Sequence, residues 1–258
     1  MDHLQFAAHE DIGVLTINRP EALNALNHQL LKDLAAFLTK KHAIRVLILT
    51  GQGDKAFIAG ADIREMESMS TGDSQYLCVL GQKVSMLLES APFVTIAAVN
   101  GFALGGGLEM ALACDFIYCA RKAKLGLPEV SLGLIPGFGG TQRLARAVGT
   151  RMAKELIFTG RKITADEAFR IGLVNHVCED HQLLEICQQT AKEILKNSSA
   201  SILRAKHVIN SCFHLSIEVA LEHERQAFIQ CFSCPDRQEG IHAFLEKRSP
   251  HFEGVTKC

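Results

Sequence analysis

An excess of charge of either sign is missing from this chain. Lys and Arg number 27 against 28 Asp and Glu, a formal net charge of −1, with acids and bases interspersed. No basic field points to nucleic acid or an anionic membrane surface. Long apolar runs are missing too, and none approaches the ~20 residues a membrane helix requires. The opening residues, MDHLQFAAHED, have neither an apolar signal core nor an Arg/Ser-rich transit character. A cytoplasmic protein is therefore expected, organellar only if a leader has been removed. A second CxxC pair is missing beside Cys231 and Cys234, so redox or metal work there has little support. The nine cysteines are odd in number and mostly set in apolar runs, as at Cys114, Cys119 and Cys187. That suits small buried thiols in a reducing compartment. There is no GxxxxGK[ST] and no GxSxG, and GFGGTQ at 137–142 has Gln142 where GxGxxG needs a glycine.

What is present is an ordinary globular composition, 48% hydrophobic and 21% charged over 258 residues. A chain of this length buries roughly three quarters of its unfolded surface, enough for one large α/β domain with a modest appendage. Ile12 to Asn18, Ile44 to Thr50, Phe93 to Val99 and Asp115 to Cys119 read as strands. Leu26, Leu30, Leu34, Phe37 and Leu38 recur at helical spacing, and Tyr76 to Leu88 is helical. Repeated strand–turn–helix units imply a stacked α/β core. After Gly140 the character changes. Thr164 to Glu167 (TADE) has the capping-box pattern with Gly172 as a helix stop, and three helical stretches fill most of 180–248.

Two glycine-rich loops each leave a core strand and run into a helical pattern. One is Ala56 to Ile63 (AFIAGADI); the other is Asn100 to Glu109 (NGFALGGGLE). Glycine permits φ > 0 and close approach of a ligand, and a helix N-terminus offers unpaired N–H groups. Two such loops side by side could aim two N–H groups at one oxygen, which is what an oxyanion hole requires. Tight turns and close packing alone would explain the same glycines, and the residues leave both readings open.

A third segment, Leu125 to Gly140 (LGLPEVSLGLIPGFGG), sets Glu129 among apolar residues and chain-stiffening prolines, and Glu109 is flanked by Leu108 and Met110. A carboxylate in apolar company is costly when charged unless it is paired or its pKa rises. Either one alone would suit a surface or salt-bridged role. Two, each attached to a glycine-rich turn, suit shared acid/base work on one water.

The runs NRPEALNAL, AFIAGADIREM, AVNGFALGGGLEMALACD, LPEVSLGLIPGFGGTQRL and EGIHAFLEKRSPHF closely resemble the crotonase, or enoyl-CoA hydratase, family. The match runs in order from about Ile12 to Phe252. The resemblance implies an α/β fold, a crotonase-like spiral of ββα turns over residues 1–195. It implies a helical trimerisation region over 196–258 that closes the site, and a homotrimer or a dimer of trimers. It puts the oxyanion-hole N–H groups on Ala61 and Gly106 and the catalytic carboxylates on Glu109 and Glu129. Glu109 would activate the water, and Glu129 would handle the proton delivered to Cα. Lys55, Ala59, Asp62 and Ile63 match the stretch lining the CoA path, and Phe228 and Lys247 match C-terminal CoA contacts.

The implied activity is syn addition of water to a trans-2-enoyl-CoA in fatty-acid β-oxidation or related acyl-CoA catabolism. No cofactor or metal is implied beyond the coenzyme A thioester substrate, and the eleven histidines, such as His28 and His223 in polar helical settings, do not suggest one. The alternative is another acyl-CoA reaction on this fold, such as Δ3–Δ2 isomerisation, although keeping both glutamates favours hydration. Some members of the fold bind RNA or act as scaffolds, but a scaffold would not need both carboxylates and no basic stripe marks an RNA surface. Ser68 to Leu80, which borders the acyl pocket in this family, matches less well and leaves chain length open.

Overall fold

The computed structural model describes residues 3–252. β1 (Leu4–His9) turns back on β2 (Ile12–Ile17) as an antiparallel pair. The chain then crosses to an extended segment whose Leu26 pairs with Ala61, before α1 (His28–Thr39) begins. The helical spacing therefore starts two residues later than Leu26, because Leu26 is held as backbone in a bridge. Asn27 caps α1 by accepting from the N–H of Leu30 at 2.8 Å.

Three turns follow, each built as strand, strand, helix. The first is β3 (Val46–Gly51), β4 (Ala56–Ile58), then α2 (Ile63–Met66) and α3 (Thr71–Glu89). The second is β5 (Val94–Val99), β6 (Phe102–Leu104) and α4 (Gly106–Leu112). The third is β7 (Phe116–Ala120), β8 (Lys124–Gly126), a 3-10 turn over Glu129–Leu132, then α5 (Gly140–Val148) and α6 (Thr150–Thr159). β9 (Ile163–Thr164), α7 (Ala165–Arg170) and β10 (His176–Cys178) close the series.

First strands of the turns stack in one sheet, in the order β1-β2-β3-β5-β7-β10, and second strands in another, β4-β6-β8-β9. Apart from the β1–β2 and β8–β9 pairs, every pairing is parallel. The expected α/β spiral of ββα turns is thus present. β3 and β5 are buried at every position, which explains their continuous apolar runs. Leu15, Ile17, Leu47 and Leu49 from the first sheet join Leu30, Leu31 and Leu34 of α1 and Phe57 of β4 in one core.

Local signals differ from expectation in two places. α3 begins at Thr71, earlier than its apolar pattern, because Ser70 and Asp73 form a complete capping box. The TADE segment makes only half of one. Thr164 Oγ1 accepts from the N–H of Glu167 at 3.1 Å, but the Glu167 carboxylate turns to Arg161 at 2.7 Å.

The described residues divide into two compact units, one ending at Gln188 and the other beginning at Gln189, within α8 (Leu183–Leu195). The second unit continues with α9 (Ser199–Cys212), α10 (Ile217–Phe232) and α11 (Pro235–Leu245). Among the described residues past 180 there are thus four α-helices, not three helical stretches. α9 packs on α10, and Ser198 Oγ donates to the buried Asp236 carboxylate at 2.6 Å. Among the described residues no helix is long and apolar enough to cross a membrane. Cys231 carries a free thiol, so it forms no disulfide with Cys234.

Candidate active site

β4, β6 and β8 lie side by side and parallel, so the segments that leave their C-terminal ends emerge at one edge. Ligands in parallel α/β sheets gather at such edges. The first segment is Ala59 to Asp62. The Gly60 carbonyl accepts from the N–H of Leu26, and the N–H of Asp62 donates to the Leu26 carbonyl, both at 2.8 Å. Those two bonds hold Ala61 between them. The buried Asn24 fixes the approach, donating to the carbonyls of Gln52 and Ala56 at 3.0 and 2.8 Å.

The second segment turns at Gly105, whose φ of +50° favours glycine. α4 starts at the next residue, so the N–H of Gly106 belongs to the first turn, which has no acceptor within the helix. Among the described residues, neither Ala61 nor Gly106 gives its N–H to a loop carbonyl. Gly107 packs against β4 so closely that a Cβ would overlap the Ile58 carbonyl oxygen. That contact locks the helix start against the first segment.

Glu109 rises from the first turn of α4 and is 2% exposed. Its Oε1 accepts from the N–H groups of Phe138 and Gly140 at 2.8 and 2.6 Å. Burial raises its pKa, while those amides and the Arg143 guanidinium hold the rise in check. Glu129 opens the 3-10 turn after β8. A Cβ on Gly105 would lie 2.9 Å from its Oε1 and 3.8 Å from the Gly60 Cα, so the carboxyl sits against the Gly105 turn and the Gly60 loop lies beside that same turn. Its Oε2 is buried with no hydrogen-bond partner. Burial, with a smaller push from the Glu109 charge, lifts Glu129 to about 7.

The two carboxyls therefore differ in kind. Glu109 is fixed by amide donors that favour its ionised form, and Glu129 is left with an unpaired oxygen that favours its protonated form. Such a pair can take a proton at one group and give one at the other. Among the described residues no group of three or more His, Cys, Asp or Glu side chains is placed to hold a metal ion.

Of the other sequence-expected residues, Ala59, Asp62 and Ile63 lie on the same first segment and Lys55 directly precedes β4. Ile63 is exposed and Lys55 is too, as a ligand path needs. The Asp62 carboxylate is tied to Arg19 at 3.0 Å. Phe228 and Lys247 lie in the second unit, both exposed. Sequence reasoning missed the amides of Phe138 and Gly140 as the seat of Glu109. It also missed Arg143 and Ser85 behind them. Part of the signal was available in the glycine pair Gly139-Gly140 at the start of α5, where the Gly140 N–H has no acceptor within its helix.

Residues 7–255 match the family model for enoyl-CoA hydratase/isomerase. The chain is 48% identical to a crotonyl-CoA hydratase of Syntrophomonas wolfei, over 94% of this chain and 95% of that one. It is 47% identical to a short-chain-enoyl-CoA hydratase of Clostridium acetobutylicum, over 92% of each. The crystal structure of an enoyl-CoA hydratase from Bacillus anthracis superposes with a TM-score of 0.95 at 40% identity, covering 98% of this chain and all of that one.

Proposed function

The chain belongs to the enoyl-CoA hydratase/isomerase family, and from that premise we propose that it adds water across the 2,3 double bond of a trans-2-enoyl-CoA to give the 3-hydroxyacyl-CoA. The observation that carries this reading is the pair of carboxyls, Glu109 buried and seated by amides and Glu129 half-buried with an unpaired oxygen, the latter against the Gly105 turn.

The chemistry follows from those groups. The N–H groups of Ala61 and Gly106 donate to the thioester oxygen and stabilise the enolate-like charge that gathers there. One such donor is worth roughly 3 kcal/mol of barrier. Polarised in this way, Cβ is open to attack. Glu109, ionised, takes a proton from water as the water oxygen bonds to Cβ. Glu129, protonated, gives its proton to Cα as the enolate collapses. Both carboxyls act from one face, so the addition is syn. The reaction consumes only water and needs no cofactor, with coenzyme A entering as part of the substrate.

Lys55, Ala59, Asp62 and Ile63 line the CoA path in this reading, and Phe228 and Lys247 add C-terminal contacts to it. The functional division falls at residue 195, with 196–258 serving trimer formation and closure of the site. Support for an assembly comes from the apolar side chains that α9 to α11 leave exposed, Ile209, Ile217, Phe228, Phe244 and Leu245 among them. A homotrimer, or two trimers paired, would cover them. Light scattering of the purified protein tests this, and a monomer would remove it. A cytoplasmic location belongs to the same reading and is checked by cell fractionation.

The deciding experiment follows the enoyl-thioester absorbance of crotonyl-CoA. Rapid loss that Glu129→Gln abolishes supports hydration, whereas full activity in that variant would sink it. Conversion of a 3-enoyl-CoA without hydration would point instead to isomerisation.

A further inference from the structure

Glu109 does not choose its own orientation. Its Oε1 rests on the N–H groups of Phe138 and Gly140, so its place depends on whatever fixes residues 138–140. That stretch has little regular structure of its own: Gly139 sits at φ +113°, and α5 begins only at Gly140. Side chains of α3 and α5 hold it. Ser85 of α3 donates from Oγ to the Phe138 carbonyl at 3.0 Å. Arg143 of α5 reaches the same carbonyl from Nη1 at 3.3 Å and Ser85 Oγ at 3.2 Å. Its Nη2 pairs with Glu89 of α3 at 2.7 Å. The guanidinium crosses directly over Gly139, where a Cβ would overlap Nη1.

We propose that Arg143 is a positioning residue for the reaction: anchored on Glu89 and Ser85, it holds the Phe138 carbonyl so that the peptide groups of 138–140 present their N–H groups to Glu109. The assignment rests on the role given to Glu109 above. Arg143 touches neither the water nor the thioester; it acts through the backbone that Glu109 leans on. A planar guanidinium suits this task because one fork grips a carboxylate while the other reaches a carbonyl and a hydroxyl. An ion pair serving stability alone would not need to span these three acceptors.

The titratable groups facing Glu109 are Arg143 on α5, Glu129 on the turn after β8 and Cys78 on α3. Arg143 is the cation among them. Its removal loosens the amide seat and takes away a charge that favours the ionised carboxyl, and both effects raise the pH at which Glu109 ionises.

The test compares Arg143→Gln, Arg143→Lys and Ser85→Ala with the full-length wild type. Two readings are taken over a range of pH: crotonyl-CoA hydration, and carboxyl ionisation by infrared difference spectroscopy, with Glu109→Gln used to assign the band. The expected Arg143→Gln protein is folded, has a kcat lower by about 10²-fold with KM little changed, and ionises Glu109 at higher pH. Arg143→Lys recovers part of both effects. Ser85→Ala keeps the ion pair and moves the ionisation the same way by less, which preserves the test if Arg143→Gln does not fold. A folded variant whose Glu109 band titrates as in the wild type overturns the proposal. The infrared result does not depend on hydration, so a wild type inactive on crotonyl-CoA would count against the proposed function alone.

Discussion

Gly105 and Glu129 meet where no side chain could stand between them: a Cβ on Gly105 would lie 2.9 Å from Glu129 Oε1. The glycine thus has two reasons to be there, its positive φ and the carboxyl beside it. Gly105→Ala is expected to push the Glu129 carboxyl off its place while leaving Glu109 seated. A misplacement near 1 Å lowers kcat by about 10²-fold, with KM less affected. Steady-state kinetics on crotonyl-CoA check this. An unchanged kcat would show that the Glu129 carboxyl has room to move without cost.

Stability should carry the mark of the same carboxyl. Glu129 is raised from its ordinary 4.5 to about 7, so the folded chain binds this proton more tightly than the unfolded chain does. Its stabilising effect is complete below pH 4.5 and is lost as the pH climbs through about 7. Glu129→Gln has no such loss. Its Tm is expected to exceed that of the wild type at about pH 8 and to converge with it on the acid side. Thermal melts across that range decide it.

The two carboxyls also titrate as a pair. The charge on Glu109 contributes to the rise at Glu129, so Glu109→Gln is expected to lower the pH at which Glu129 ionises. Carbon NMR of labelled glutamates would follow it. A Glu129 midpoint that stays put or rises would mean that burial alone sets the value.

Glycines on two helices should respond in opposite directions to alanine. At Gly107 a methyl overlaps the Ile58 carbonyl oxygen, so Gly107→Ala forces α4 away from β4 and costs about 1–3 kcal/mol. At Gly72, in the first turn of α3, the nearest atom to an added Cβ is Ser70 Oγ at 3.7 Å, ordinary contact. Gly72→Ala is therefore expected to stabilise by about 0.5–1 kcal/mol. Urea unfolding of both variants checks the pair.

Much of this was legible in the residues. The continuous apolar runs of β3 and β5 announced strands buried on both faces, and the two glycine loops announced turns into helices. Glu109 and Glu129 stood out because carboxyls among apolar neighbours need a reason. The second sheet was harder to see, since β4, β6, β8 and β9 are two or three residues long and no periodicity can register in so short a span. The TADE pattern misled because the Glu167 side chain had a better partner in Arg161 than in a backbone amide. Arg143 escaped because its partners Ser85 and Glu89 are more than fifty residues away in sequence, and an arginine on an amphipathic helix reads as an ordinary surface charge.

The short strands of the second sheet have a consequence for how such a protein fails. The groups at the edge are delivered by three different turns of the spiral: Ala61 by the first, Gly106 and Glu109 by the second, Glu129 by the third. No turn owns the chemistry. What aligns the three is a ladder only a few peptide units wide, so slippage between adjacent turns disperses the reacting groups while each helix and each long strand survives. Under rising denaturant, catalysis should disappear ahead of helical circular dichroism. Turnover thereby becomes the more sensitive gauge of whether the coils are still in step.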